Sequence, residues 1–380
     1  MPWEERSVMS QRTEFVHFAT QEGANISELC RRYGISRNIG HKWLNRYKAD
    51  GVAALEDRSR RPCRSPNKTP ESLERKVLEV RDEHPAWGGR KINRRLRNLG
   101  FDPPAPSTIT EVLRRNDRLT GLATDRRQAV QRFEHPVPNA LWQMDFKGHF
   151  PLTRTSSRCH PLTVLDDHSR FSIALEACPN ERGNTVQRRL EQSFQTYGLP
   201  ERMLTDNGAP WWGPCGGGLT QLSMWLVQLG IRLVRCRPRH PQTQGKDERF
   251  HRSLKAEVLA HRSMTTFSHC QQEFDRWRTI YNFDRPHEAL DMEVPATRYE
   301  SSSRSYPSRL PPIEYGPEDH TRKVRSDGSI SYQGRRLEAG QGLKGRDVAV
   351  RHTGKEDHVE VYFCSQKLGS FYLAECGKTR

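Results

Sequence analysis

No stretch of the 380 residues approaches the roughly 18 consecutive apolar residues of a membrane span. The opening residues carry charges where a secretory leader needs an apolar core. No membrane association or export is expected, and the chain reads as cytoplasmic. The 9 cysteines are dispersed, odd in number and never spaced C-x-x-C, which argues against a disulfide framework and a zinc knuckle; no zinc is expected. Hydrophobic residues make up only 34%, yet 8 Trp, 14 Phe and 10 Tyr can anchor real cores, so wholesale disorder is excluded. The length allows two to four domains of roughly 100 to 200 residues. Acidic residues are in deficit, 46 against 62 basic, and +9 of the +16 net charge falls on residues 1 to 138. A surplus of that size attracts polyanions, nucleic acid above all, although a solvated basic surface without a partner has the same composition.

Ile26, Leu29, Cys30 and Tyr33 fall at helical spacing before Gly34, and Ser36 can cap a second helix running to about Lys48. In that helix Ile39, Trp43 and Tyr47 share one face. Arg37, Asn38, His41, Lys42, Asn45 and Arg46 fall mainly on the others and suit a recognition helix in the major groove, the bland alternative being an amphipathic hairpin. Residues 1–56 thus read as a helix-turn-helix domain. In the linker 57–69, Arg58, Arg60, Arg61 and Arg64 alternate with prolines and can follow phosphates or enter a narrow minor groove, or merely solvate a spacer. A second helical DNA-binding domain is predicted over 70–120, followed by a linker, 121–138.

Period-two runs then appear: LWQMDFKGHF, CHPLTVLDD and RFSIALEAC predict an antiparallel meander. Alternating helix and strand signals follow to about residue 298, which makes 139–298 an α/β unit with a mixed sheet. A linker, 299–320, leads to a predicted small β-barrel over 321–380. The fold class is therefore multidomain: all-α front units, a central α/β sheet and a β-barrel tail.

Asp145 lies mid-strand, Asp206 ends the short TDNG strand, and Glu248 lies near a helix start. An Asp inside a strand carries a desolvation cost unless a cation or donor neutralises it. Convergence of the three on a hard divalent metal is one reading among several.

LWQMDFKG, TDNG and RPRHPQTQGKDERFHRSLKAE, in that order, resemble the three signature segments of the DDE transposase and retroviral-integrase superfamily, with its RNase H-like core. The resemblance covers about residues 139 to 290, and the helical front and β tail agree with bacterial insertion-sequence transposases. It implies that Asp145, Asp206 and Glu248 form a metal-binding catalytic triad taking two divalent ions, Mg²⁺ with Mn²⁺ as substitute. It implies a polynucleotidyl transferase that cleaves element ends and joins them to target DNA. The partners would be double-stranded DNA of terminal repeats and target, with the protein a homo-oligomer on DNA and associated with the bacterial nucleoid when bound. The 41 residues between Asp206 and Glu248 slightly exceed the common spacing. Asn207 either positions Asp206 or touches DNA; His240, with Gln242 beside it, either contacts DNA or shapes its loop. Arg252 and Lys255 lie four and seven residues beyond Glu248, where retroviral integrases place basic residues on the DNA end, the bland alternative being intrahelical pairing. Asp166 and Asp167 read as turn formers. The rival from another class is a catalytically silent, transposase-derived DNA-binding regulator.

Overall fold

Ser7, Asn25 and Ser36 each have an extended backbone and accept backbone N–H groups through their side chains, from Ser10 at 3.1 Å, Ser27 at 3.1 Å and Ile39 at 3.3 Å. These caps start α1 (Val8–Ala19), α2 (Ile26–Arg32) and α3 (Arg37–Asp50). The structure is a computed structural model that describes residues 7–57, 68–119, 134–213, 218–236 and 245–377. Residues 1–68 form one compact unit and residues 69–380 another.

In the first unit the three helices enclose Phe15, Val16, Ala19, Cys30, Trp43, Leu44 and Leu55. Gly40 makes the closure possible, since a Cβ there would stand 2.4 Å from the Cys30 sulfur. The buried face of α3 is therefore Gly40, Trp43 and Leu44, whereas Ile39, expected beside Trp43, is 43% exposed. Sequence periodicity also missed α1, whose apolar residues are interrupted by polar and charged ones.

The second unit begins with another three-helix cluster, α4 (Glu71–Glu83), α5 (Gly89–Asn98) and α6 (Pro106–Arg115), around Val77, Trp87, Ile92, Leu96, Ile109 and Leu113. A mixed sheet follows, from β1 (Trp142–Phe146), β2 (Phe150–Pro151), β3 (Arg158–Asp166) and β4 (Ser172–Cys178). After α7 (Gly183–Tyr197) come β5 (Arg202–Thr205), α8 (Gln221–Gln228) and β6 (Arg232–Arg235), then α9 (Gly245–Leu254) and α10 (Phe267–Phe283). β1 pairs antiparallel with β3 and parallel with β5; β4 pairs with β3 and β6 with β5. The meander expected from the alternating runs is present as β1, β3 and β4, with β2 an added edge against β3.

Alternation along the strands sends Trp142, Met144, Leu162 and Val164 toward α7 and α8, and Cys159, Leu165, Leu175 and Ala177 toward α9 and α10. Part of the front-end basic charge is spent on this core: Arg95 binds Asp284 at 2.6 Å, Arg94 binds Glu293 and Arg90 lies 3.5 Å from Glu288.

The segment read as a linker after residue 298 is strapped to the core. The Arg304 guanidinium donates to the carbonyls of Pro200 at 2.6 Å and of Leu229 and Gly230 at 3.1 Å each. The Ser302 N–H donates to Tyr197 O at 2.8 Å. Gly198 permits the approach: a Cβ there would meet Ser302 O at 2.7 Å, and its φ of +77° suits glycine.

Beyond the strap lie β7 (His320–Lys323), β8 (Ser329–Tyr332), β9 (Arg335–Glu338), β10 (Asp347–His352), β11 (His358–Phe363) and β12 (Gln366–Tyr372). They form a four-stranded sheet, β12-β11-β10-β7, and a separate β8-β9 hairpin. The expected barrel is thus corrected to two sheets: among the described residues no strand pair closes them. Ile330, Tyr332 and Leu337 of the hairpin share one core with Val348, Val350, Val359 and Val361, so face-to-face burial takes the place of closure. No helix among the described residues is long and apolar enough to cross a membrane.

Replacing Arg304 by Ala is predicted to lower the unfolding free energy by about 1.5 to 3 kcal/mol, the range for hydrogen bonds to a charged group. Exposed Arg309 on the same strap serves as control; its Ala variant should change stability by less than about 0.5 kcal/mol in urea melts.

Candidate active site

Strand β1 places Trp142 opposite Met203 and Gln143 opposite Leu204 of parallel β5. Carried two residues further, this register sets Asp145 level with Asp206, which immediately follows β5. The Phe146 N–H donates to Asp145 Oδ1 at 2.8 Å and the Gly208 N–H to Asp206 Oδ1 at 3.1 Å. Burial pushes the Asp145 carboxyl up to about 6; the Phe146 hydrogen bond pulls it down, and the charges of Asp206 and Glu181 raise it. The Asn207 side chain donates to Cys236 O at 3.0 Å, which ties the TDNG turn to the end of β6.

Helix α9 closes over the same end of the sheet with Phe250 and Leu254 buried. One turn before Phe250 this stripe presents Asp247, which is 1% exposed. Burial raises the Asp247 carboxyl well above its ordinary range, and the charges of Asp145 and Asp167 add to the effect. Glu248, the residue chosen from the motif, points outward and is exposed, as are Arg252 and Lys255. The register thus sets Asp145 level with Asp206, and Glu248 lies on the exposed side of α9. Among the described residues, Arg252 and Lys255 make no ion pair, and no group of three or more His, Cys, Asp or Glu stands at metal-ligand spacing. Arg37, Asn38, His41, Lys42 and Asn45 are exposed on α3, while Arg46 is half-buried with its guanidinium 5.0 Å from the centre of the Trp43 ring. Arg58, Arg60, Arg61, Arg64, His240 and Gln242 lie outside the described residues.

Two residues of α9 that motif reading passed over, Lys246 and His251, tie the helix to the sheet. Lys246 donates to Asp167, whose carboxylate also accepts from Gln143 Nε2 at 2.7 Å and the His135 N–H at 2.9 Å. Asp166 accepts from the Asn139 N–H at 2.7 Å and from the Ser169 N–H and hydroxyl at 2.8 and 2.6 Å, the turn-forming role read from the sequence. His251 Nε2 lies 2.9 Å from the Thr163 hydroxyl, which itself donates to Asp145 O at 3.0 Å. With its one proton given to Asp145, that hydroxyl accepts from His251, which fixes the proton on Nε2. Burial, reinforced by the charge of Lys147, pushes His251 down to about 4. Helical spacing from Phe250 and Leu254 was the signal that could have found Asp247 and His251.

Residues 135–241 and 229–295 match the integrase core domain, and residues 319–378 match the C-terminal domain of IS481 family transposases. Residues 11–62 match a helix-turn-helix domain and 39–113 a homeodomain-like domain. The chain thus carries matches to an integrase core, to helix-turn-helix domains and to a transposase C-terminal domain. Over 282 residues it is 25% identical to the insertion element IS476 39.2 kDa protein of Xanthomonas euvesicatoria, spanning 72% of this chain and 78% of that one. Over 288 residues it is 25% identical to the insertion element IS407 31.7 kDa protein of Burkholderia multivorans, spanning 73% and 92%. Among solved structures, the simian T-cell lymphotropic virus intasome bound to PP2A regulatory subunit B56 gamma aligns at 12% identity and a TM-score of 0.40, over 80% of this chain and 98% of that chain.

Above about pH 4 His251 is neutral when folded, and it takes up a proton on unfolding below pH 6.5. Its contribution to stability is therefore complete above pH 6.5 and is lost as pH falls toward about 4. His251→Gln is expected to flatten the pH dependence of stability between 6.5 and 4; urea melts across that range check it. An unchanged slope would show that His251 is not the group being protonated.

Proposed function

We propose that the chain binds the ends of a mobile element through its helical front units, then cleaves those ends and joins them to target DNA at the core. The observation that carries this reading is the register that sets Asp145 of β1 level with Asp206, just past the end of parallel β5, both within the integrase-core match.

Oxygen-only donors suit Mg²⁺, which takes one or two carboxylates and completes its shell with waters and phosphate oxygens; Mn²⁺ would substitute. Asp145 and Asp206 would hold the metal, with Glu248 as the third carboxylate when DNA fills the site. Two such ions, when bound, supply activation of the attacking oxygen and charge stabilisation of the leaving one.

At the element end a water oxygen attacks phosphorus, and the bridging bond to the 3′ oxygen breaks. The freed 3′-hydroxyl then attacks a target phosphodiester, forming one P–O bond as the bond to the target's own 3′ oxygen breaks. Both displacements run in line, so the residues act chiefly by positioning. Arg252 and Lys255, exposed on α9, would hold the phosphates of the DNA end. His41, Lys42 and Asn45 on α3 would read the element end in the major groove, and two or more copies would pair the ends. The outward position of Glu248 is the observation that favours the rival, a regulator that binds DNA without cutting it.

Asp145→Asn, Asp206→Asn and Glu248→Gln are each predicted to reduce joined product by about 100-fold or more while leaving DNA binding intact. Incubation with element ends, target plasmid and Mg²⁺ separates the readings: joined products support the transposase, and bound but uncut DNA from the wild type supports the regulator. Asn45→Ala is predicted to weaken binding to the element end by about 1 to 3 kcal/mol and to leave binding to random DNA unchanged, by fluorescence anisotropy at fixed salt.

A further inference from the structure

Asp247 is the most anomalous side chain of the core. It lies on the buried stripe of α9, where Phe250, Leu254 and Val258 are apolar, and a hydrophobe there would continue the packing. Both of its carboxylate oxygens are buried and neither has a hydrogen-bond partner. The adjacent cation offers no relief: Lys246 is turned to Asp167, which is already supplied by Gln143 and His135. The charges that bear on Asp247 most strongly are Asp145 and Asp167, both negative. An ionised carboxylate removed from water costs several kcal/mol unless a cation or donors meet it. Helix α9 nevertheless lies against the strand that bears Asp145: His251 Nε2 is 2.9 Å from the Thr163 hydroxyl, which donates to Asp145 O at 3.0 Å.

We propose that Asp247 is a further metal-facing carboxylate of this centre, taking a hard divalent cation between itself and Asp145. The proposal rests on the metal-dependent reading of the core and adds to it a residue that the signature motif does not select. Two protein carboxylates, with waters and phosphate oxygens for the remaining positions, satisfy Mg²⁺, so no third side chain at ligand spacing is needed. The cation supplies the counter-charge that the helix lacks. Glu248, one residue on, faces outward and stays available to the DNA side of the site.

The test uses the purified full-length chain and Mn²⁺ as probe, with affinity from the electron paramagnetic resonance signal of free Mn²⁺ and melting temperature measured with EDTA or with Mn²⁺. The variants are Asp247→Asn, Asp247→Val and Asp145→Asn. In EDTA both Asp247 variants are expected to melt at or above wild type, because a buried carboxyl without hydrogen-bond partners is gone. With Mn²⁺ both should bind about 10- to 100-fold more weakly and lose most of the metal-induced rise in melting temperature. The valine variant keeps the test valid if the amide fails to fold. Wild-type affinity and an undiminished Mn²⁺-induced rise in both Asp247 variants would overturn the proposal while leaving the metal reading standing, provided that Asp145→Asn weakens binding. Failure of the wild type to bind Mn²⁺, or undiminished binding by Asp145→Asn, would overturn the metal reading and this proposal with it.

Discussion

Strand β1 is hydrogen-bonded on both sides, antiparallel to β3 and parallel to β5, and the core is organised around that double pairing. A strand held on two flanks cannot shift register without reversing every side chain on it, so its faces are fixed. Trp142 and Met144 are committed to one core, and Gln143 and Asp145 to the other side, where Gln143 meets Asp167 and Asp145 approaches α9. The parallel neighbour brings Asp206 to the same level. A carboxylate in this place is expensive to bury, and the backbone N–H of Phe146 offsets only part of the cost. The same pairing that secures the sheet therefore concentrates negative charge at one end of it.

The meander was legible as three short runs of strand-forming residues between polar turns, and the helices from α7 to α10 were legible from their periodicity and glycine stops. β7 was not: His320–Lys323 is polar throughout and exposed, so it carries no alternation to read. The strap escaped notice because serine and proline composition describes a spacer equally well, and only tertiary hydrogen bonds to Arg304 distinguish the two. At the candidate site, motif order singled out Asp145 and Asp206, which the fold brings level. It also singled out Glu248, which is exposed, while the acid that α9 buries is Asp247. A motif records which letters recur, whereas burial follows the 100° turn per residue of a helix; adjacent acids on α9 are separated by that angle.

Charge in the front third divides in a way composition could not show. On α3 it is presented to solvent, beside the buried Trp43. On α5 much of it is paired: Arg94 and Arg95 reach Glu293 and Asp284, and burial with the charge of Arg285 pushes Lys91 down to about 8. Two helical clusters of similar size thus differ in what their cations are free to do. The first keeps them available to a polyanion, and the second uses several to join itself to the core.

The clasp formed by Ser302 and Arg304 has a mechanical side. It grips the chain where α7 hands over to β5 and where α8 hands over to β6, the two strands that end beside Asp206 and Cys236. The grip continues past Arg304, where Gln228 Nε2 donates to Pro311 O at 2.6 Å and the Leu233 N–H of β6 to Gln366 Oε1 of β12 at 3.2 Å. The tail is thus fastened along its length to the two strands that carry the acidic end of the sheet.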